Sequence, residues 1–168
     1  VLAGFKLKEF SMKRLALADV IANTLRVMQP CLKRQGILLT VEIACAVPPV
    51  WGVAHQLEQV LLNILVNACQ AMPDGGKMRI RADIADPEHV RVIFRDTGVG
   101  MSHQDVERVF QPFVSLWNET RRGIGLTICR DIMVQHHGAI ALDSKPGEGA
   151  TITLTLLRAD TAVPLSST

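Results

Sequence analysis

The sequence predicts a two-layer α+β sandwich, with hairpin strands paired antiparallel into a sheet that three helices cover on one face. Three observations predict it. Three segments carry apolar residues at steps of three and four, the period of a helix with one buried stripe. Several others alternate apolar and polar residues and are joined by Pro- and Gly-containing turns, the pattern of strands buried on one face only. The chain has 168 residues, 48% apolar and 20% charged, which suits one domain with a single core and is too apolar for a disordered chain.

Residues 1–18 mix charged and apolar types without a clean period and read as a linker; the domain follows over 19–157, and 158–168 drift into small and polar types that read as a flexible tail. Asp19 is placed to cap a helix over about 20–34 that puts Val20, Ile21, Leu25, Met28 and Leu32 on one face, with Gly36 beyond its end. Pro30 predicts a kink or an early stop. Ile37, Leu39, Val41 and Ile43 alternate as a strand that ends before Pro48 and Pro49. Between about 55 and 71, Leu57, Val60, Leu61, Ile64, Leu65 and Ala68 form the strongest helical stripe, stopped by Pro73-Asp74-Gly75-Gly76. Two alternating runs, about 78–84 and 90–95, flank Asp86-Pro87 as a hairpin. A short helix near 103–109, a polar irregular stretch over about 114–122 and a helix over about 124–136 come next. A short strand at Ile140 and Leu142, the Pro146-Gly147 turn and a strand through Ile152, Leu154 and Leu156 complete the chain.

Composition excludes several classes. No apolar run reaches the about 18 residues that span a bilayer, and no signal-peptide order opens the chain. With 18 Lys and Arg against 16 Asp and Glu, the net charge of +2 makes no strong field for nucleic acid, so no nucleic-acid partner is expected. Cys31, Cys45, Cys69 and Cys129 show no CxxC spacing, and Cys69 and Cys129 fall inside apolar helical patterns, so a reduced, cytoplasmic setting is expected. His55, His89, His103, His136 and His137 include no HExxH pair and support no zinc site.

Three features can carry chemistry. Gln56, Gln59, Asn63, Asn67 and Gln70 make one uncharged amide stripe along an apolar helix. Solvated helix faces favour Glu, Lys or Arg, so this stripe is either a polar seam against a loop or a place where carboxamide oxygens hold a hydrated magnesium ion without cancelling phosphate charge. The strand ending at Arg95 runs into Asp96-Thr97-Gly98-Val99-Gly100. That is either an ordinary Asp-Gly turn or a fixed carboxylate able to accept a hydrogen bond from adenine's exocyclic amine, with Met101 and Ile93 offering an apolar slot. In Arg121-Arg122-Gly123-Ile124-Gly125-Leu126 two cations meet glycines at a helix start. Exposed N–H groups and the helix dipole there attract phosphate, although the same residues also make a plain helix N-terminus. The spacing matches neither the GxxxxGKS loop nor a glycine loop that follows a strand.

In order, Asn63 to Ala71, Asp96 to Gly100, Phe110-Gln111-Pro112-Phe113 and Gly123-Ile124-Gly125-Leu126 resemble the N, G1, F and G2 boxes of the GHKL ATPases, and most of all those of sensor histidine kinases. Gln59-Val60-Leu61-Leu62-Asn63-Ile64-Leu65-Val66-Asn67-Ala68 and the closing Pro146-Gly147-Glu148-Gly149 are also similar to that family, and the likeness spans about residues 17–157. It implies a mixed, mostly antiparallel sheet under three helices, with ATP bound between them beneath a mobile lid. It further implies Asn67 as the magnesium-holding amide, Asn63 as its partner one turn earlier, Asp96 as the adenine-binding carboxylate, and Gly98 and Gly100 as the shapers of that pocket. Gly123, Gly125 and Leu126 would meet the phosphates, and Phe110 and Phe113 would form the hinge of the lid. His137 reads as structural.

Two positions depart from the pattern. Arg121 stands where a further Gly is common, which makes Arg122 the candidate for neutralising phosphate. Ala150 replaces the usual Thr or Ser, leaving Thr151 to reach the same water. None of the five histidines is followed by Asp or Glu, as the family's phosphoacceptor would be. The resemblance therefore implies the catalytic half of a histidine kinase. By that resemblance it would act with ATP and Mg2+ on a separate dimerisation and phosphoacceptor domain, and through that on a response regulator; the fragment would be monomeric and its parent homodimeric. The alternatives are an ATPase clamp, a serine kinase of the anti-sigma type, and a module that binds nucleotide without transfer. Asn63 stands where the clamps place a catalytic Glu, and an amide cannot serve as a general base, so intrinsic hydrolysis should be slow.

Overall fold

A computed structural model describes residues 11–111 and 125–160. The elements in chain order are β1 (Lys13–Leu15), α1 (Leu17–Arg34), β2 (Ile37–Ile43), β3 (Val50–Gly52), α2 (Ala54–Ala71), β4 (Gly76–Ile84), β5 (His89–Asp96), α3 (His103–Arg108), α4 (Gly125–Gln135), β6 (Ala139–Lys145) and β7 (Gly149–Leu157). A five-stranded sheet runs in the order β2-β4-β5-β7-β6. Every neighbouring pair in it is antiparallel except β2 and β4, which run parallel from Ile37 opposite Gly76 to Ile43 opposite Ala82. The reason is connectivity. The chain leaves β2, forms α2 and only then enters β4, and a crossover containing a helix returns a strand in the same direction. Hairpin turns alone predict antiparallel pairing and miss this strand.

Helices α1, α2 and α4 cover one face. Leu57, Val60, Leu61, Ile64 and Leu65 of α2 share the core with Ile80, Val92, Phe94, Leu154 and Leu156 of the sheet, all 2% exposed or less. Removing such side chains from water is worth about 1.5–3 kcal/mol each, so α2, buried along most of one side, is the centre of the core. The opposite sheet face carries Lys77, Arg79, Arg81 and Arg95, all exposed, and the half-buried threonines of β7. The strand period of two therefore separates an apolar face from a wet, basic one.

Three local expectations need correction. Helix α1 begins at Leu17, so Asp19 lies in its first turn instead of capping it, where its charge still suits the dipole. Pro30 lies inside α1 and does not end it; Met28 and Leu32, buried on either side, hold the helix on the core. Part of the segment read as a linker forms β1, which pairs antiparallel with β3 through Leu15 opposite Val50. Strands of three residues are too short to show a period. The residues after β7 are also tied down at first: Arg158 N–H donates to Glu88 O at 2.8 Å and Ala159 N–H to Pro49 O at 2.8 Å.

Candidate functional site

Helix α2 delivers the amide stripe. Gln56, Asn63, Asn67 and Gln70 are half-buried and Gln59 is exposed. The stripe is a seam at one point, because Asn63 Nδ2 donates to Gly125 O at 3.2 Å and so ties α2 to the first residue of α4. One turn further on, the Asn67 carboxamide has no hydrogen-bond partner among the described residues. Its oxygen is thus available in the way a magnesium aquo-ion requires, since that cation usually keeps several waters and takes few protein oxygens. Among the described residues, no group of three or more His, Cys, Asp or Glu side chains forms a metal site.

Asp96 ends β5 on the helix side of the sheet and is 8% exposed. Its Oδ1 accepts from Gly98 N–H at 2.8 Å and Ala150 N–H at 3.2 Å. Oδ2 has no partner among the described residues, yet it is not sealed: the one sealed and unpartnered side-chain oxygen or nitrogen among them is Gln56 Oε1. Burial raises the Asp96 pKa above the ordinary carboxylate value, while the two N–H groups pull it back. The result is a rigid carboxylate with one oxygen engaged by backbone and the other able to receive an amine.

The loop after Asp96 leaves no room for a side chain at Gly98 or Gly100. A Cβ on Gly98 would stand 2.7 Å from Ala71 O and 2.9 Å from Asp96 Oδ1. Gly100 has φ +69° and a Cβ there would collide with the Lys145 carbonyl. Val99 N–H donates to Ala71 O at 3.0 Å, and Val99 O accepts from Gly147 N–H at 2.7 Å. The loop is thus stitched between the end of α2 and the β6–β7 turn. Met101 packs on the core beside it. Phe110 also packs there, and its carbonyl accepts from Thr127 Oγ1 of α4 at 3.1 Å. Leu126, one residue into α4, is buried. Arg122, Phe113 and Gly123, with Arg121 and the rest of the expected lid, lie outside the described residues.

Two expected contributors stand elsewhere. Thr151 is opposite Arg95 in the sheet register and shares the exposed face with it, whereas Asp96 faces the helices. One residue of displacement on a strand reverses the face, so the side chain of Thr151 points away from Asp96; the neighbouring Ala150 makes the contact through its backbone N–H instead. Ile93 is on the exposed face for the same reason, flanked by buried Val92 and Phe94, and does not line the slot. The Ala71 carbonyl and the Ala150 amide went unread because any residue type supplies them.

Histidines 136 and 137 divide their roles. His136 is fully buried; its Nε2 accepts from Val53 N–H at 3.0 Å and its Nδ1 donates to Ile132 O at 2.7 Å, which fixes the neutral tautomer. His137 adopts φ 53° at the end of α4. Neither approaches Asp96 in the hydrogen-bond network. Burial pushes the thiols of Cys69 and Cys129 up to about 11 and about 12, as expected for small buried hydrophobes.

The family of histidine kinase-, DNA gyrase B-, and HSP90-like ATPases matches residues 52–160. Sporulation kinase E of Bacillus subtilis is 29% identical over 138 residues, which are 82% of this chain and 19% of that protein. Adaptive-response sensory kinase SasA of Thermosynechococcus vestitus is 33% identical over 147 residues, 86% of this chain and 39% of the relative. The chain therefore spans between a fifth and two fifths of these relatives' lengths. Among solved structures, the mycobacterial sensor histidine kinase MprB is similar with a TM-score of 0.75 and 27% identity, covering 88% of this chain and 98% of that one. With the amide helix, the buried Asp96 and the sheet order, these matches show that the chain belongs to the family of histidine kinase-, DNA gyrase B-, and HSP90-like ATPases and is an ATP-binding catalytic domain of the sensor histidine kinase type.

Proposed function

We propose that the chain binds Mg-ATP and donates the terminal phosphate to a histidine on a separate dimerisation and phosphoacceptor domain of the same kinase, from which a response regulator takes it. The observation that carries this reading is Asp96, whose Oδ1 is held by two backbone N–H groups while Oδ2 stays open to an adenine amine. The unpartnered Asn67 carboxamide fits a magnesium ligand, Asn63 sits a turn away against α4, and the start of α4 at Gly125 and Leu126 is suited to phosphate through its N–H groups and dipole. Bound magnesium would supply charge neutralisation across the phosphate oxygens. Arg122, adjacent to Gly123, is proposed to add positive charge.

Transfer is favoured over hydrolysis by one specific feature. Asn63 has an amide that cannot take a proton from water, and its nitrogen is engaged by Gly125 O. The acceptor comes from outside the chain, because no histidine here is followed by Asp or Glu. The test is phosphate transfer from labelled ATP to a separately supplied helical hairpin of such a kinase. We expect acid-labile label on the hairpin, at least about a hundredfold less of it with Asn67→Ala, and slow phosphate release without the hairpin. Brisk hydrolysis by the chain alone would support the clamp reading instead, and acid-stable label the serine kinase reading.

A further inference from the structure

The adenine carboxylate does not hold itself in place. Its second backbone support, Ala150 N–H, belongs to the peptide unit that joins Gly149 to Ala150, and the carbonyl of that same unit accepts a hydrogen bond from Ser144 Oγ at 2.7 Å. A trans peptide is planar and its C=O and N–H point in opposite directions. Fixing the carbonyl from one side therefore aims the N–H at Asp96 on the other. Ser144 is the register partner of Ala150 across β6 and β7, which brings its hydroxyl beside that unit.

The same hydroxyl has a second partner. Ser144 Oγ accepts from Met101 N–H at 2.9 Å, at the point where the loop after Asp96 leaves for α3. A hydroxyl that donates once and accepts once spans the two ends of the loop, Asp96 through the Gly149–Ala150 unit and Met101 directly. The backbone around it has no slack. Gly149 has φ +80° and a Cβ there would collide with the Asp96 carbonyl, while Gly147 N–H donates to Val99 O at 2.7 Å.

The geometry points to Ser144 as a positioning residue for purine recognition: it touches no nucleotide itself, and it sets the direction of the Asp96 carboxylate and the exit of the loop that forms the purine slot. The assignment rests on the reading that Asp96 receives the adenine amine. Serine at this place has no sequence signature, since a strand residue before a Pro-Gly turn is an ordinary choice.

The test separates purine positioning from general loosening. Inosine diphosphate has the phosphates and sugar of ADP but a carbonyl where adenine has its amine, so it lacks the exocyclic donor assigned to Asp96. Calorimetric titration of the chain with both ligands should show that Ser144→Ala lowers ADP affinity roughly tenfold and shifts inosine diphosphate affinity by less than about twofold, with Ser144→Thr restoring ADP binding. Equal losses for both ligands, or wild-type ADP affinity in Ser144→Ala, would overturn the assignment while leaving the nucleotide site intact. If Ser144→Ala does not fold, Ser144→Cys keeps the volume with a weaker donor and is held to the same two outcomes. A wild-type chain that binds neither ligand would overturn the functional reading itself, and this assignment with it.

Discussion

Asp96 shows how a carboxylate survives burial. Desolvation raises its pKa, and the Gly98 and Ala150 N–H groups return part of that cost by bonding the charged form. These groups engage Oδ1, so replacing Oδ2 by an amide nitrogen leaves the support intact and turns an acceptor into a donor, which in the proposed site would face the adenine amine. Asp96→Asn should therefore keep the melting temperature of the unliganded chain or raise it, and weaken ATP binding about ten- to a hundredfold, the worth of one hydrogen bond to a charged oxygen. Calorimetry and thermal melts on the same preparation check both. At this scale the sequence was informative where a side chain does the work. Type and spacing put Asn63 and Asn67 on one stripe of a helix and Asp96 at a strand end, and the structure has them on α2 and at the end of β5. Thr151 was misplaced because a residue's face depends on a register that only pairing with β5 sets.

Helix α1 makes the corresponding point for an element. Its buried residues Leu17, Val20, Ile21, Thr24, Met28 and Leu32 keep one stripe through Pro30 to Arg34. Proline in a helix interior removes a backbone bond and crowds the preceding turn, at a cost of about 3 kcal/mol. Here packing on both sides of it outweighs that cost. Pro30 is exposed, so Pro30→Ala disturbs no core contact and restores the missing bond. It should stabilise the chain by about 1–3 kcal/mol, a rise of about 2–4 °C in melting temperature for each kcal/mol. An unchanged or lowered melting temperature would mean that α1 is shaped around the proline. The sheet offers a contrast. Arg79 and Arg95 stand opposite each other on its wet face, a like-charge pair that disfavours β4–β5 pairing slightly and that the apolar face beneath readily overrides.

For the whole molecule, His136 joins distant parts. Its ring links the end of α4 to Val53 at the start of α2, the two helices that Asn63 and Gly125 also join. Burial lowers its pKa below the ordinary value, helped by nearby His137 and opposed by its bond to Ile132. A depressed folded-state pKa means the unfolded chain takes up the proton first. The stabilising contribution is thus complete above the unfolded value of about 6.5 and is lost as pH falls below it toward the folded value. Urea unfolding at pH 7.5 and 5.5 should show this loss in the wild type and a smaller one in His136→Gln; equal losses would place the acid sensitivity elsewhere. By itself the sequence determined the helices, the hairpin strands, the amide stripe on α2 and the carboxylate at the end of β5, because periodicity and residue type are local properties. The tertiary structure decided the rest. It ran β2 parallel to β4, kept Pro30 inside a helix, paired β1 with β3 in a separate two-stranded sheet, turned Thr151 away, and built the support of Asp96 from Ala150 and Ser144. Strand pairing, register and the Ala150 amide depend on which backbone groups meet across the fold, and those groups are the same in every residue. Pro30 stays helical through the packing of Met28 and Leu32, and Ser144 acts because the fold sets its hydroxyl between two distant segments.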